Sequence, residues 1–357
     1  MKEILVQTST HPYKIMIGEK LRFDLGSFLT KNYSSIMVIT DEHVRDLYLE
    51  DIKQGLDGHK VFTAVIPAGE QSKSIEQFYE LHTKAIEYGL NRNSLIIALG
   101  GGVVGDLAGF AAATFMRGVD YIQVPTTILA HDSSVGGKVA INHSLGKNLI
   151  GNFYPPQAVV YDVETVHTLS EAEVRSGYAE LVKEALISDT SFFEEIMQIN
   201  LKQLDNGLLT EHLQAGIQVK AEIVEEDEKE SGVRKFLNFG HTLGHAIEAE
   251  LGYGKMTHGE AIAIGMLFAI DLSETHYNIQ LPGAELNNWM SQNDYPVILP
   301  NLDANKLLTK MASDKKVLND SIPMVLLKKI GLPETVEFEK EELKKKLDAF
   351  LGKMVKV

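Results

Sequence analysis

At 357 residues, 44% of them apolar, the chain can fill more than one hydrophobic core and is long for a single domain. Its 34 basic residues against 49 acidic ones leave a formal charge of -15, which argues against a nucleic-acid or anionic-membrane surface, so an anionic substrate must be met by a local basic cluster. There is no cysteine, so disulfides and thiolate chemistry are excluded, and any metal must be held by His, Asp or Glu, with zinc the leading ion.

The opening MKEILVQTST lacks the basic-then-apolar profile of a signal peptide, and no apolar run approaches the roughly 20 residues that cross a bilayer, so the expected location is the cytoplasm. Apolar, β-branched runs follow at 36 to 40, 61 to 67, 94 to 100, 121 to 125 and 158 to 162, with helix-period segments between several of them. That alternation predicts an α/β domain with a largely parallel sheet over 1–165. Past Leu169 the strand runs nearly vanish, and EAEVRSGYAELVKEALI and HLQAGIQVKAEIVEEDEKES read as helices, which predicts an all-α second domain over 166–357. The terminal EKEELKKKLDAFLGKMVKV reads as a solvated amphipathic helix.

After SLIIALG comes a glycine turn, Gly100-Gly101-Gly102-Val103-Val104-Gly105-Asp106, which opens a small-residue helix. Strand, glycine turn and helix receive a pyrophosphate on backbone amides at a helix N-terminus, although a tightly packed turn needs the same glycines. Asp41, at the end of the 36-to-40 run, is placed to bind a ribose hydroxyl. From Val124 to Pro156 the chain is polar and glycine-rich, with Asp132, Ser133, Ser134, Lys138, His143, Lys147 and Asn148 close together. Lys138 and Lys147 suit an anion, phosphate by preference, with Asn148 as a further donor; an ordinary surface loop is the plainer alternative.

Glu180 and Lys183 lie three apart on one helical face; such a pair is usually a solvated salt bridge, but apolar flanks suggest a buried role, Glu180 for a metal and Lys183 for substrate. Arg234 and Asn238, four apart, could clamp a carboxylate. His241 and His245 share a helical face, as in sites that present two nitrogens to one ion, and His258 opens the next apolar helix. Buried structural histidines would give the same spacing, and no glutamate between the pair makes the metalloprotease motif.

In order, PAGEQSKS (67 to 74), GGGVVGDLAGFAAATFMRG (100 to 118), PTT (125 to 127), DSSVGGK (132 to 138), GKNLIGNFY (146 to 154), GYAELVK (177 to 183), LNFGHTLGHAIE (237 to 248), HGEAIAIGM (258 to 266) and DKK (314 to 316) resemble the 3-dehydroquinate synthases of the sugar-phosphate cyclase superfamily. The resemblance implies an α/β dinucleotide-binding domain, an all-α metal-binding domain and an active site in the cleft between them. It implies NAD and Zn2+, with Co2+ as a substitute, the ion being held by Glu180, His241 and His258. His245 then becomes a substrate-facing residue. Asp41, Glu70, Lys73, Gly101, Gly102, Val103, Asp106, Thr126, Thr127, Lys147, Thr165 and Thr168 fall at the family's NAD positions, together with Asp132 and Lys138.

Lys138, Asn148 and His245 fall at the substrate phosphate, Lys183, Lys220 and Glu230 near the sugar hydroxyls, and Arg234, Asn238 and Lys315 (or Lys316) around the carboxylate. Asp132, Lys138, Lys183, Glu230 and His245 are the implied catalytic residues. Arg117 resembles an arginine lent by a neighbouring subunit, hence a homodimer. The implied reaction takes 3-deoxy-D-arabino-heptulosonate 7-phosphate, a sugar-acid phosphate, to 3-dehydroquinate by transient oxidation, phosphate elimination, reduction and intramolecular aldol closure, a step of the shikimate pathway. A metal-dependent polyol dehydrogenase, or another cyclase of the same fold, is the alternative.

Overall fold

The apolar runs form strands that are buried on both faces, except the half-buried edge strand, which is why they carry little polar alternation. The computed structural model describes residues 1–230, 232–252, 254–298, 302–314 and 321–354. Those from Met1–Leu169 and Asp205–Glu228 form one compact unit; Ser170–Leu204 and the described residues from Lys229 onward form the other. Among the described residues, no helix is long and apolar enough to cross a membrane.

The first unit contains β1 (Lys2–Val6), β2 (Tyr13–Gly18), β3 (Ile36–Asp41), β4 (Val61–Ile66), β5 (Leu95–Gly100), β6 (Asp120–Pro125), β7 (Lys138–His143), β8 (Gly146–Phe153) and β9 (Ala158–Asp162). Seven of these make one sheet in the order β1-β2-β9-β6-β5-β3-β4, every neighbouring pair being parallel except β1 with β2. Ile36, Val38, Ile97 and Leu99 point into one apolar layer, and Met37, Ile39, Ile96 and Ala98 into the other. Helix α1 (Glu42–Gly55) covers the first layer with Leu49 and Ile52; α2 (Ile75–Glu87) and α3 (Gly102–Thr114) cover the second with Leu81, Ala85 and Leu107. Two covered faces are what a parallel sheet needs, since helical crossovers lie on both.

Two features escape the sequence pattern. The polar stretch read as loop contains the short helix α4 (Ala130–Ser133) and an antiparallel hairpin of β7 and β8. Val139 and Ile141 of β7 join the core under α3, whereas β8 is exposed along nearly its whole length. The second feature is a return of the chain. After α5 (Glu171–Ser188) and α6 (Thr190–Met197), α7 (Asn206–Glu226) rejoins the first unit and packs on β1, β2 and α4. The single boundary expected near residue 165 is therefore crossed again at both ends of α7.

The second unit is helical, as expected, with one amendment to the all-α reading: β10 (Ser321–Leu327) and β11 (Pro333–Glu339) form an antiparallel hairpin. Its other helices are α8 (His241–Leu251), α9 (His258–Tyr277), α10 (Gly283–Gln292), α11 (Ala304–Asp314) and α12 (Lys340–Met354). The unbroken apolar run of α9 is buried all round, with α5, α8 and β10 packed against it. Helix α12 is amphipathic and buries Leu343, Leu347 and Phe350.

Helix α9 starts with a capping box, Thr257 with Glu260, and Glu260 also accepts from Arg175 Nε and Nη2 of α5 at 3.0 and 2.9 Å. Gly259 then lies so close to α5 that a methyl group would overlap the Ser176 carbonyl, while its N–H donates to Ser176 Oγ at 3.0 Å. Farther along, Gly265 presses on the carbonyl of Gly240, the residue before α8. These two close approaches set the first turn of α9 against α5 and the first turn of α8 against α9.

Candidate metal centre and dinucleotide edge

In the first unit the expected cofactor residues gather at the carboxyl edge of the sheet. Asp41 ends β3; Glu70 and Lys73 follow β4; Gly101, Gly102, Val103 and Asp106 follow β5; Thr126 and Thr127 follow β6; Thr165 and Thr168 follow β9. The chain runs from β3 outward to β4, then crosses back past β3 to β5, so the topological switch point lies between β3 and β5. Ligands of open α/β sheets bind at that crevice, which here is flanked by Asp41 and the glycine turn. Gly101 caps α3 without a side-chain hydrogen bond, and a helix N-terminus of that kind suits an anion. Asp41 Oδ1 accepts from the N–H groups of His43 and Val44, both at 2.9 Å, which caps and aligns α1.

A polar network stands beside this edge. Lys73, almost fully buried, donates from Nζ to Asp106 Oδ2 at 2.6 Å and to Asn148 Oδ1 at 2.5 Å, and lies 3.9 Å from Glu70 Oε1. Burial pushes the Asp106 carboxyl above its ordinary range, against the opposing pull of Lys73. Asn142, to which the sequence pattern assigns no role, links Glu70 to Asn148. Farther along, Lys220 of α7 lies with Nζ 2.8 Å from Asp132 Oδ2 and also donates to the Asp132 carbonyl. The two residues stand 88 apart in sequence, so only the return of α7 brings them together.

Thr165 and Thr168 brace α1 through Tyr48, whose hydroxyl lies 3.1 Å from the Thr165 carbonyl and 2.6 Å from Thr168 Oγ1. The Tyr161 hydroxyl donates to the Thr127 carbonyl, which holds the turn after β6. Lys138 and Lys147 are exposed on the β7–β8 hairpin. Arg117 is exposed on a turn where Met116 and Arg117 both have positive φ, 50° and 67°.

In the second unit, α5, α8 and α9 converge on Glu180. Its Oε1 lies 3.4 Å from His241 Nε2 and 3.3 Å from His258 Nε2, and its Oε2 lies 2.6 Å from Lys183 Nζ; Glu180 and Lys183 are each 1% exposed. Zinc–nitrogen bonds of about 2.0–2.1 Å put tetrahedral ligand atoms about 3.3 Å apart, so the two Glu180–His separations are edges of such a polyhedron. His245 adds a third imidazole: His241, His245 and His258 each offer a nitrogen, all within 4.8 Å of one another, and the His245 ring centre lies 5.2 Å from that of His241 and 5.6 Å from that of His258.

The outer contacts set the imidazole tautomers. His258 Nδ1 is 3.2 Å from Glu248 Oε2, and His241 Nδ1 is 3.2 Å from the Phe239 carbonyl. Both partners accept, so both Nδ1 atoms carry hydrogen and both Nε2 atoms are left to face Glu180, as metal-binding histidines require. Burial lowers the His241 pKa to about 3. For His258 burial also acts downward, but the bonds to Glu180 and Glu248 outweigh it and raise the pKa to about 9. These residues fit a divalent ion: a buried carboxylate and two imidazoles share one focus, His241 with Nε2 free and His258 with Nε2 freed once its extra proton leaves.

Glu248 is a second residue to which the sequence pattern assigns no role, although its place seven residues after His241 and three after His245 puts it on their face. Of the expected substrate residues, Arg234 is buried in the short 3-10 turn Val233–Asn238, and Asn238 Nδ2 lies 3.4 Å from Glu230 Oε1. Lys315 and its alternative Lys316 lie outside the described residues.

Set beside known families, residues 63–176 match the 3-dehydroquinate synthase N-terminal family and residues 177–317 the 3-dehydroquinate synthase C-terminal family. The chain is 52% identical over 359 residues to the 3-dehydroquinate synthase of Oceanobacillus iheyensis, with 100% of both chains covered. It is 49% identical to that of Geobacillus thermodenitrificans, with 98% of each covered. Among solved structures it is similar to 2-deoxy-scyllo-inosose synthase complexed with carbaglucose-6-phosphate, NAD+ and Co2+, at a TM-score of 0.88 and 27% identity over 96% of this chain and 98% of that one.

Proposed function

Because the chain belongs to the 3-dehydroquinate synthase family, we propose that it converts 3-deoxy-D-arabino-heptulosonate 7-phosphate to 3-dehydroquinate and phosphate, with NAD at the carboxyl edge of its parallel sheet and a divalent ion on Glu180, His241 and His258. The observation that carries the metal half is Glu180 Oε1 at tetrahedral-edge distance from two imidazole Nε2 atoms. When bound, the ion would polarise substrate hydroxyls and NAD would take up and return a hydride.

The chain's own residues do the rest. Lys183 pairs with Glu180 and keeps that carboxylate in place, and it stands beside the proposed ion within reach of a sugar hydroxyl. His245, by the family resemblance, faces the substrate, with Lys138 and Asn148 as the phosphate clamp. Lys220 and Asp132 offer a donor and an acceptor side by side, the pair needed to hold a hydroxyl whose proton is moving. Arg234 and Asn238 supply donors for the carboxylate, with Glu230 orienting the Asn238 amide. Arg117 is assigned to the neighbouring protomer's phosphate in a homodimer. The resulting lyase regenerates its cofactor at each turnover.

The deciding experiment gives the substrate and a trace of NAD to protein stripped by a chelator. Phosphate release should return on adding Zn2+ or Co2+, with no net NADH. Undiminished turnover after stripping would sink the metal assignment. Net NADH from a simple polyol, without phosphate release, would point to a dehydrogenase instead.

A further inference from the structure

Asn142, near the end of β7, makes three hydrogen bonds, two to the turn after β4 and one to β8. Its Nδ2 donates to Glu70 Oε1 at 2.8 Å, its Oδ1 accepts from the Asn148 N–H at 2.9 Å, and its own N–H donates to the Lys73 carbonyl at 2.7 Å. The turn after β4 and the β7–β8 hairpin are thereby joined through one carboxamide. Asn148 has φ 55°, a left-handed conformation that asparagine adopts more readily than most residues and that neighbouring bonds stabilise. The Asn142 carbonyl bond to its N–H and the Lys73 ammonium on its Oδ1 are those bonds, and they leave Asn148 Nδ2 as its outward donor. On the other side, Asn142 occupies Glu70 Oε1 and leaves Oε2 as the outward acceptor.

We propose that Asn142 is a positioning residue that couples the dinucleotide acceptor Glu70 to the phosphate donor Asn148. The identity of the two subsites rests on the function proposed above; the coupling itself rests on the three bonds. Side-chain chemistry restricts the position. A carboxamide donates to a carboxylate from its nitrogen and accepts from an amide at its oxygen, two separate atoms that reach two separate partners. An aspartate would keep the bond to Asn148 but set a second carboxylate against Glu70, and an alanine would lose both.

The test uses the full chain and three readouts: equilibrium NAD binding without metal or substrate, KM and kcat with metal restored, and the unfolding temperature. Losing a charge-assisted bond should cost about tenfold in NAD affinity for Asn142→Asp and raise substrate KM about tenfold, with kcat changed by less than about threefold. Asn142→Ala, which brings in no charge, should move both constants in the same direction by about fivefold. The informative variant is the reversed pair Glu70→Gln with Asn142→Asp. The amide placed at the first position can donate to the carboxylate placed at the second, which still accepts from Asn148. KM should then return to within about threefold of wild type, while NAD affinity stays weak for want of Glu70.

A residue that merely supports the fold would lower the unfolding temperature in each variant and show no such split. The coupling is overturned if Asn142→Asp and Asn142→Ala leave both constants within about twofold of wild type, or if the reversed pair fails to recover KM. Wild-type protein that binds no NAD would instead overturn the functional reading, which separates the two failures.

Discussion

The two imidazoles facing Glu180 behave oppositely, His241 buried and His258 about a third exposed. Burial takes His241 down to about 3, so it stays neutral with Nε2 available at any physiological pH. Burial also presses His258 downward, but Glu180 and Glu248 outweigh it and raise this group to about 9, so in the metal-free protein it carries a proton. Its folded pKa lies above the ordinary 6.5, so the stability it lends the metal-free protein is complete below about pH 6.5 and lost as pH rises through about 9. A metal ligand must be deprotonated, so an incoming ion expels this proton. Metal binding near pH 7.5 should therefore release about one proton, measurable by titration calorimetry in buffers of different ionisation enthalpy, and affinity should climb about tenfold per pH unit until about pH 9. Release of none, or of two, would contradict the assignment of His258. A companion prediction separates ligand from neighbour: Glu180→Gln should lose far more metal affinity than His245→Gln in a chelator competition, and equal retention would count against the ligand set.

At the scale of elements, ligand geometry depends on how closely helices approach. A methyl at Gly259 meets backbone on α5, which cannot rotate away, so Gly259→Ala should cost about 1–3 kcal/mol in unfolding free energy and weaken metal binding by moving His258 away from Glu180. Unchanged denaturation and metal affinity would show that the contact relaxes at no cost. Legibility in the sequence follows the same physics. β3, β5, β6 and β9 are readable because both faces are buried and their apolar runs are continuous, and the half-buried edge strand β4 by its apolar run alone. β1 and β2 are missed because polar side chains interrupt them on the outer face, and β8 because GKNLIGNF is exposed and bears no apolar pattern. His241, His258 and Glu180 are legible by residue type and family motif. Asn142 and Glu248 are not, since each is defined by partners that only folding supplies.

For the whole molecule, metal and dinucleotide should act on different parts of the chain. The ion's expected ligands all lie on α5, α8 and α9, so chelation should raise amide hydrogen exchange there and leave β3 to β6 unchanged, while NAD should protect the carboxyl edge of the sheet. Free zinc at about 100 times its Kd should add about 2.7 kcal/mol to the stability of the structure that binds it. Exchange that rises uniformly along the chain on chelation would contradict this division. The formal charge of -15 gives an anionic substrate no general attraction, so the basic groups that bind one must act at short range.

The return of α7 to the first unit also governs how the polypeptide is made. A ribosome adding about 5–20 residues per second lets many domains close as soon as their last strand emerges. Here β9 ends at Asp162, yet β1 and β2 still lack the helix that packs on them, and α5 and α6 must appear before Glu226 completes it. The nascent sheet therefore waits with an uncovered apolar flank for the length of two foreign helices. That interval is the stretch of synthesis in which a chaperone has most to do, and a release of the chain at residue 165 should yield an aggregating fragment, not a smaller folded protein.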